Sequence, residues 1–256
     1  MSPKLLTANL LSVTIVVYHC AFFAPPTRAQ EKADLPKLSA QIKDKDAAVR
    51  QSAIETLGQL KDPAAIDLLI SALDDGNQDV RSAAALALGQ TGADKGVEPL
   101  TKMLQSQRLR DRRSAIIALG TIGGGKACEA LIPLLKAPSA EDRDSVVAAL
   151  GSARCANAFD SLVKTLGDES YIVRADAAMA LGDLGDKRAV EPLLAILNKS
   201  DSDSVRTGAV VALGALGDRR AIEPLEAMLK AEKNENVRRQ IEQALQLLRA
   251  VQPDKQ

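Results

Sequence analysis

Through most of the chain, apolar side chains recur at helical spacing in two alternating stretches, and one arginine marks each recurrence. Arg50, Arg81, Arg112, Arg143, Arg174, Arg206 and Arg238 are spaced by 31, 31, 31, 31, 32 and 32 residues. Seven positions after each Arg stands Leu, from Leu57 through Leu88, Leu119, Leu150, Leu181 and Leu213 to Leu245. Three positions after it stands Ala53, Ala84, Ala115, Val146, Ala177, Ala209 or Ile241. Offsets −1, +3 and +7 fall on one helical face, so Val80, Ala84 and Leu88 predict the buried stripe of a helix, termed here helix B.

The polar and glycine positions bound that helix. Four residues before the Arg an N-cap residue is expected at Asp46, Asn77, Ser139, Ser170, Ser202 and Asn234, with Arg108 the exception. Eleven residues after it, Gly92, Gly123, Gly185 and Gly217 suit the left-handed residue just past a helix end. The Gly at +8, present in six of seven units, suits close approach of a neighbouring helix. Between successive B helices lies a second amphipathic stretch, helix A, exemplified by Ala64–Leu73 and Ala189–Leu197. Three A helices carry Glu-Pro early (Glu98-Pro99, Glu191-Pro192, Glu223-Pro224), near the first turn, where a missing amide donor matters least. Helix pairs of this length cannot bury both faces alone, whereas stacked pairs can. The predicted fold is therefore all-α: a right-handed α-solenoid of about seven helix pairs with a 31-residue period over residues 35–251, followed by a tail at 252–256.

Composition agrees. Aromatic residues make up 2% of the chain, Trp is absent, and Ala and Leu dominate a 46% apolar fraction, which suits a thin core of closely packed helices. The N-terminus departs from the repeat. Met1–Lys4 is short and positive, Leu5–Ala24 is largely apolar, and Pro25–Ala29 precedes Gln30. That order predicts a cleavable secretory signal over residues 1–29 and a short linker at 30–34, hence export. The alternative is a membrane anchor formed by residues 5–24, and only then would the chain engage a membrane. Removing residues 1–29 leaves 31 basic against 33 acidic residues, a balance that argues against nucleic acid as a partner.

The recurring VR-x-x-A-x-x-x-LG-x-x-G, seen at Val80–Gly92 and Val173–Gly185, resembles the HEAT-like repeat of the phycobilisome lyase family over about Leu35 to Val251. The resemblance implies an armadillo-type solenoid in which the repeated Arg bonds an Asp six residues before an Arg, in its own or an adjacent repeat. Asp44, Asp75 and Asp168 occupy that position, whereas Ser106, Ala137, Ser200 and Glu232 depart from it, so an interrupted ladder is expected. A structural role for the seven arginines is favoured over an anion-binding stripe. The family also contains lyase subunits and hydroxylases. A hydroxylase of this kind would need paired His-Glu iron ligands, and the only histidine, His19, lies inside the leader.

No catalytic residue, metal site or cofactor is therefore expected. Cys128 reads as a small buried hydrophobe and Cys155 as a turn residue about one repeat layer away; a disulfide is permitted in an oxidising compartment, with separate thiols the preferred reading. Gly123-Gly124-Gly125-Lys126 lacks the strand and the Ser or Thr of a phosphate loop and reads as a turn. The remaining candidate is a surface. In HEAT-type solenoids the B helices line the concave face, so the +5 column should read it out: Glu55, Leu86, Ile117, Ala148, Met179, Val211 and Gln243. Its five central members are apolar, and Arg113 and Asp144 flank them from the +1 column. The expectation is a monomeric, exported scaffold that binds a protein or peptide along this strip; the alternative is a chromophore-handling lyase subunit or another enzyme of the family.

Overall fold

The computed structural model describes residues 34–60, 62–199 and 202–251. The leader and tail readings fall outside these residues. Within them lie seven consecutive helix pairs and no strand. The A helices are α1 (Leu35–Gln41), α3 (Pro63–Ser71), α5 (Val97–Met103), α7 (Gly124–Leu131), α9 (Phe159–Thr165), α11 (Val190–Lys199) and α13 (Ile222–Ala231). The B helices are α2 (Ala47–Gly58), α4 (Gln78–Thr91), α6 (Leu109–Ile122), α8 (Ala140–Ser152), α10 (Tyr171–Leu184), α12 (Asp203–Leu216) and α14 (Glu235–Ala250).

Each B helix starts where the cap column predicts. Asp46 accepts from the Ala48 amide, Asn77 from those of Asp79 and Val80, and Asn234 from those of Asn236 and Val237, which satisfies donors that the first turn leaves over. Arg108 and Ser170 occupy the same position without a side-chain capping bond. At the other end Gly92, Gly185 and Gly217 sit at φ 64–72°, as the stop column requires. In the fourth repeat the equivalent residue is Arg154, held at φ 49° without the freedom of glycine. Helices α5, α11 and α13 each begin from a 3-10 turn, and Pro99, Pro192 and Pro224 stand third in the α-helix that follows, in the first turn.

The core is the contact between A and B layers plus the stacking of B on B. Val80, Ala84 and Leu88 are buried, as are Val173, Ala177 and Leu181, so the −1, +3, +7 stripe is the core stripe. Successive B helices approach to backbone distance at the +8 glycines. A Cβ on Gly120 would stand 2.8 Å from the Cβ of Ala149, and one on Gly89 would stand 2.9 Å from the Cα of Ala118. B helices pack on one another far more extensively than A helices do, so the B layer is the closely spaced one, as the concave layer of a solenoid must be. The +4 side chains Ile54, Ala85, Ile116, Val147, Ala178 and Val210 are buried, whereas Glu242 of the last repeat is exposed, with Gln243 and Gln246 beside it. The +4, +5 and +8 positions are thus polar in the last repeat, although Leu247 beside them is exposed.

Two readings of the sequence need correction. Cys128 and Cys155 form a disulfide, with Cα atoms 5.7 Å apart. The turn after α8 carries Cys155 back against α7, so residues one layer apart in the repeat register become neighbours. The bond ties the A layer of the fourth repeat to the start of the fifth. The second correction concerns the arginine ladder.

Candidate partner-binding surface

The arginines lie on the edge where A helices turn into B helices, and six of the seven guanidinium groups point back at the carbonyl six residues earlier. Arg50 donates to the Asp44 carbonyl at 2.8 Å, Arg81 to Asp75 at 2.8 Å, Arg112 to Ser106 at 3.1 Å and Arg143 to Ala137 at 2.9 Å. Arg174 and Arg238 do the same with Asp168 and Glu232. The other nitrogens reach into the next repeat. Arg50 grips Asp75 through two bonds of 2.7 and 2.8 Å, and Arg143 grips Asp168 in the same way. Arg206 reaches Glu232 at 3.0 Å, so the longer acid at −6 serves as well.

The ladder does not break where Ser106 and Ala137 replace the −6 acid. Arg81 bonds Asp111 and Arg112 bonds Asp142, and both acids stand at −1, the column filled by Val in other repeats. Ser106 supports the substitution by donating its hydroxyl to Asp111 at 3.1 Å. Asp111 and Asp142 are 3% and 6% exposed, so each replaces a core valine with a carboxylate neutralised from the previous repeat. The interruption expected at Ser106 and Ala137 is therefore overturned, because the acid moves from −6 to −1 there; Ser200 lies outside the described residues. The signal was present in the sequence, since acids at −1 occur in two of the three repeats that lack a −6 acid, those with Ser106 or Ala137 there, and in no repeat that has one. Asp44 is also corrected: among the described residues its carboxylate accepts from the Asp46 amide and takes no ladder arginine, while its carbonyl holds Arg50.

The ladder electrostatics follow from these bonds. The Arg50 guanidinium holds Asp75 below the usual carboxylate range. Burial pushes Asp168 up, but the Arg143 bond and the Ser170 amide outweigh it and leave the carboxyl lowered. The arginines are accordingly each engaged by carboxylates or carbonyls of their own fold, which is a structural role.

The B face is different. Ile117 is 53% exposed, Met179 43%, Val211 42% and Leu86 37%, and Ala148 lies open between them. Because α4, α6, α8, α10 and α12 pack side by side, these +5 residues form a strip across five repeats, ended by exposed Glu55 and Gln243. The +1 column is only partly outward, since Ser82 and Ala175 are buried against neighbouring B helices. Arg113 is exposed and bonds Glu141 at 3.4 Å. Asp144 is half-buried, and its Oδ1 is shut away from water with no hydrogen-bond donor.

Sequence reasoning missed Tyr171 and Ile172, which are 51% and 49% exposed in the first turn of α10. They extend the strip toward the N-terminal ends of the B helices. Together with Met179, Asp176, Val211 and Val237 they line a cleft of about 690 Å³ between α10, α12 and α14. The floor of the cleft exists because Gly208 lets α12 approach α10 closely; a Cβ there would stand 2.8 Å from the Ala175 carbonyl oxygen. For chemistry the surface offers little: among the described residues no group of three or more His, Cys, Asp or Glu side chains converges as a metal site would require.

HEAT repeats match the chain in four overlapping stretches, residues 35–120, 67–151, 128–211 and 159–246. Among solved structures, the complex of CpcE and CpcF of phycocyanin lyase from Nostoc sp. PCC7120 is similar, with 24% identity, a TM-score of 0.52, and coverage of 89% of this chain and 99% of that one. YibA from E. coli aligns at 24% identity and a TM-score of 0.55 over 84% of this chain and 81% of its own. An engineered protein aligns at 22% identity and a TM-score of 0.52, covering 83% and 67% respectively. No curated protein matches the chain in sequence. At these identities the likenesses speak for the fold alone. With a helix pair of about 31 residues repeated seven times, arginine–carboxylate bonds at five of the repeat joints and repeat matches over almost the whole described chain, this protein belongs to the HEAT-repeat family.

Proposed function

We propose that this chain is an exported, non-catalytic scaffold that binds a protein partner along its B-helix face. The observation that carries the reading is the exposed apolar strip of Leu86, Ile117, Met179 and Val211, because water-facing apolar side chains in register over several repeats are costly unless something covers them. The charge ladder supports it from the other side, since the arginines are consumed within the fold and leave the strip as the surface with unspent binding capacity. Export is supported by the leader-like order of residues 1–29 and by the Cys128–Cys155 disulfide, a bond that persists in oxidising compartments. With the leader removed no histidine is left for general acid–base work, which favours binding over catalysis.

The second reading, a chromophore-handling subunit, is favoured by the fold likeness to the phycocyanin lyase complex. Affinity capture from the native envelope fraction, with the wild-type chain beside an Ile117→Asp/Met179→Asp variant, separates the two. A scaffold loses its partner in the variant and carries no pigment absorbance. Unchanged capture by a folded variant would falsify the strip as the binding surface, and co-purifying pigment would favour the lyase reading.

A further inference from the structure

The cleft between α10, α12 and α14 combines two features that seldom share one surface. Its rim is apolar, with Tyr171, Ile172, Met179 and Val211 all open to solvent. Asp176 is part of its lining, and Asp144 of α8, beside that lining, stands close enough to act on the Asp176 carboxyl. Among the described residues neither has a cation partner, and the Asp144 Oδ1 is buried without a donor. Elsewhere on the same face acids are neutralised: Asp79 by Arg110 at 2.7 Å and Glu141 by Arg113 at 3.4 Å. Asp203 of α12 is taken up by Arg206 and Asn234. Arg239 of α14 is engaged with Asn236. The pair is thus a place on this face where, among the described residues, two carboxylates stand together without a counter-charge.

We infer that this cleft seats a basic, apolar segment of the partner, with a Lys or Arg side chain entering between Asp144 and Asp176 and apolar neighbours resting on Met179, Val211, Tyr171 and Ile172. The inference rests on the proposed B-face binding function and specifies its chemistry. Complementarity argues for this occupant: an acidic or neutral apolar segment would leave both carboxylates buried against it without a counter-charge, which is heavily penalised, whereas one cation satisfies both. Burial and the adjacent Asp144 push the Asp176 carboxyl up to about 7, so near neutral pH a shared proton competes for the place of the cation. An arriving Lys or Arg therefore displaces that proton, and the segment binds more tightly as pH rises through 7.

The test uses the oxidised full chain and three labelled peptides: alternating Leu and Lys, alternating Leu and Glu, and alternating Ser and Lys, followed by fluorescence anisotropy. The expected result is binding of the Leu–Lys peptide at least tenfold tighter than either other peptide, weakened about tenfold by Asp144→Asn with Asp176→Asn. Isothermal titration in buffers of different ionisation enthalpy should show a proton released on binding at pH 7, and none in the Asn variant. Equal binding of the Leu–Glu peptide, or an Asn variant that binds Leu–Lys unchanged, overturns the inference. Absence of Leu–Lys binding above the Ser–Lys control overturns it as well. If Met179→Asp abolishes capture of the native partner while the Asn variant retains it, the binding surface stands and the cation seat alone falls. If neither variant affects capture, the surface reading falls too.

Discussion

Arg81 and Asp111 bond across a repeat boundary with both side chains less than one-tenth exposed, although Asp111 stands in a column that other repeats fill with valine. Arg50 meets the same need through Asp75, thirty-six positions before Asp111 and in the other of the two acid columns. The ladder is therefore defined by where a carboxylate arrives in space, and two sequence positions deliver it. This makes the two columns exchangeable. Asp111→Val alone should destabilise the fold by about 3–5 kcal/mol, because it strands the buried Arg81 guanidinium. Adding Ser106→Asp should recover most of that loss by restoring the −6 acid, as read from urea midpoints of the single and double variants. A double variant no more stable than the single one would refute the exchange.

Stability should respond to pH in two opposed ways. Asp176 is raised to about 7 by burial and by Asp144, so the folded chain holds a proton there that the unfolded chain has released above about pH 4. That contribution favours the fold at acid pH and is lost as pH rises through 7. Asp75 is lowered by Arg50, and Asp168 is lowered by Arg143 and the Ser170 amide against the push of burial; their contribution is present above the ordinary carboxylate range and lost as pH falls through their folded values. Asp176→Asn is expected to raise the melting midpoint at about pH 8 by roughly 2–4 °C, a modest shift because the site is half open to water, and to leave it unchanged at about pH 4. A variant whose midpoint tracks the wild type at both pH values would contradict the raised Asp176.

The B-helix spacing rests on a missing methyl group. Gly120→Ala would place a Cβ 2.8 Å from that of Ala149, and backbone-borne atoms on both sides cannot turn away. The expected cost is about 1–3 kcal/mol of overpacking, measured by thermal or urea unfolding. The same substitution at Gly76, which has nothing within 4 Å, should cost far less.

These joints show how far the repeat could be read in advance. The Arg, N-cap and Gly columns were legible because each reflects geometry inside one helix pair, and Asn77, Gly92 and Gly89 all do what their positions predict. The exposure of Ile117 and Met179 follows from the same helical arithmetic. What escaped depends on the offset between pairs. Asp111 stands in a core column, and its carboxylate has a partner only because the stacking brings Arg81 of the preceding repeat to it. Tyr171 and Ile172 lie in a first turn, where exposure is set by how the neighbouring B helix crosses.

The cysteines belong to that second class, since only the turn after α8 brings Cys155 to Cys128. Their bond closes a loop with a sequence separation of 27 residues, for which chain entropy predicts about 3–4 kcal/mol. Reduction, or Cys128→Ala with Cys155→Ala, should lower the unfolding midpoint accordingly. Identical midpoints for oxidised and reduced protein would show that the bond contributes nothing.

Site-specific photo-cross-linking reports whether a partner lies on the B face. A benzophenone residue replacing Ile117, exposed on α6, is compared with one replacing Glu129, exposed on α7 in the A layer. In the native envelope fraction a discrete cross-linked species is expected from position 117 and none from position 129. Cross-linking from position 129 alone, or equally from both, would contradict a partner on the B face.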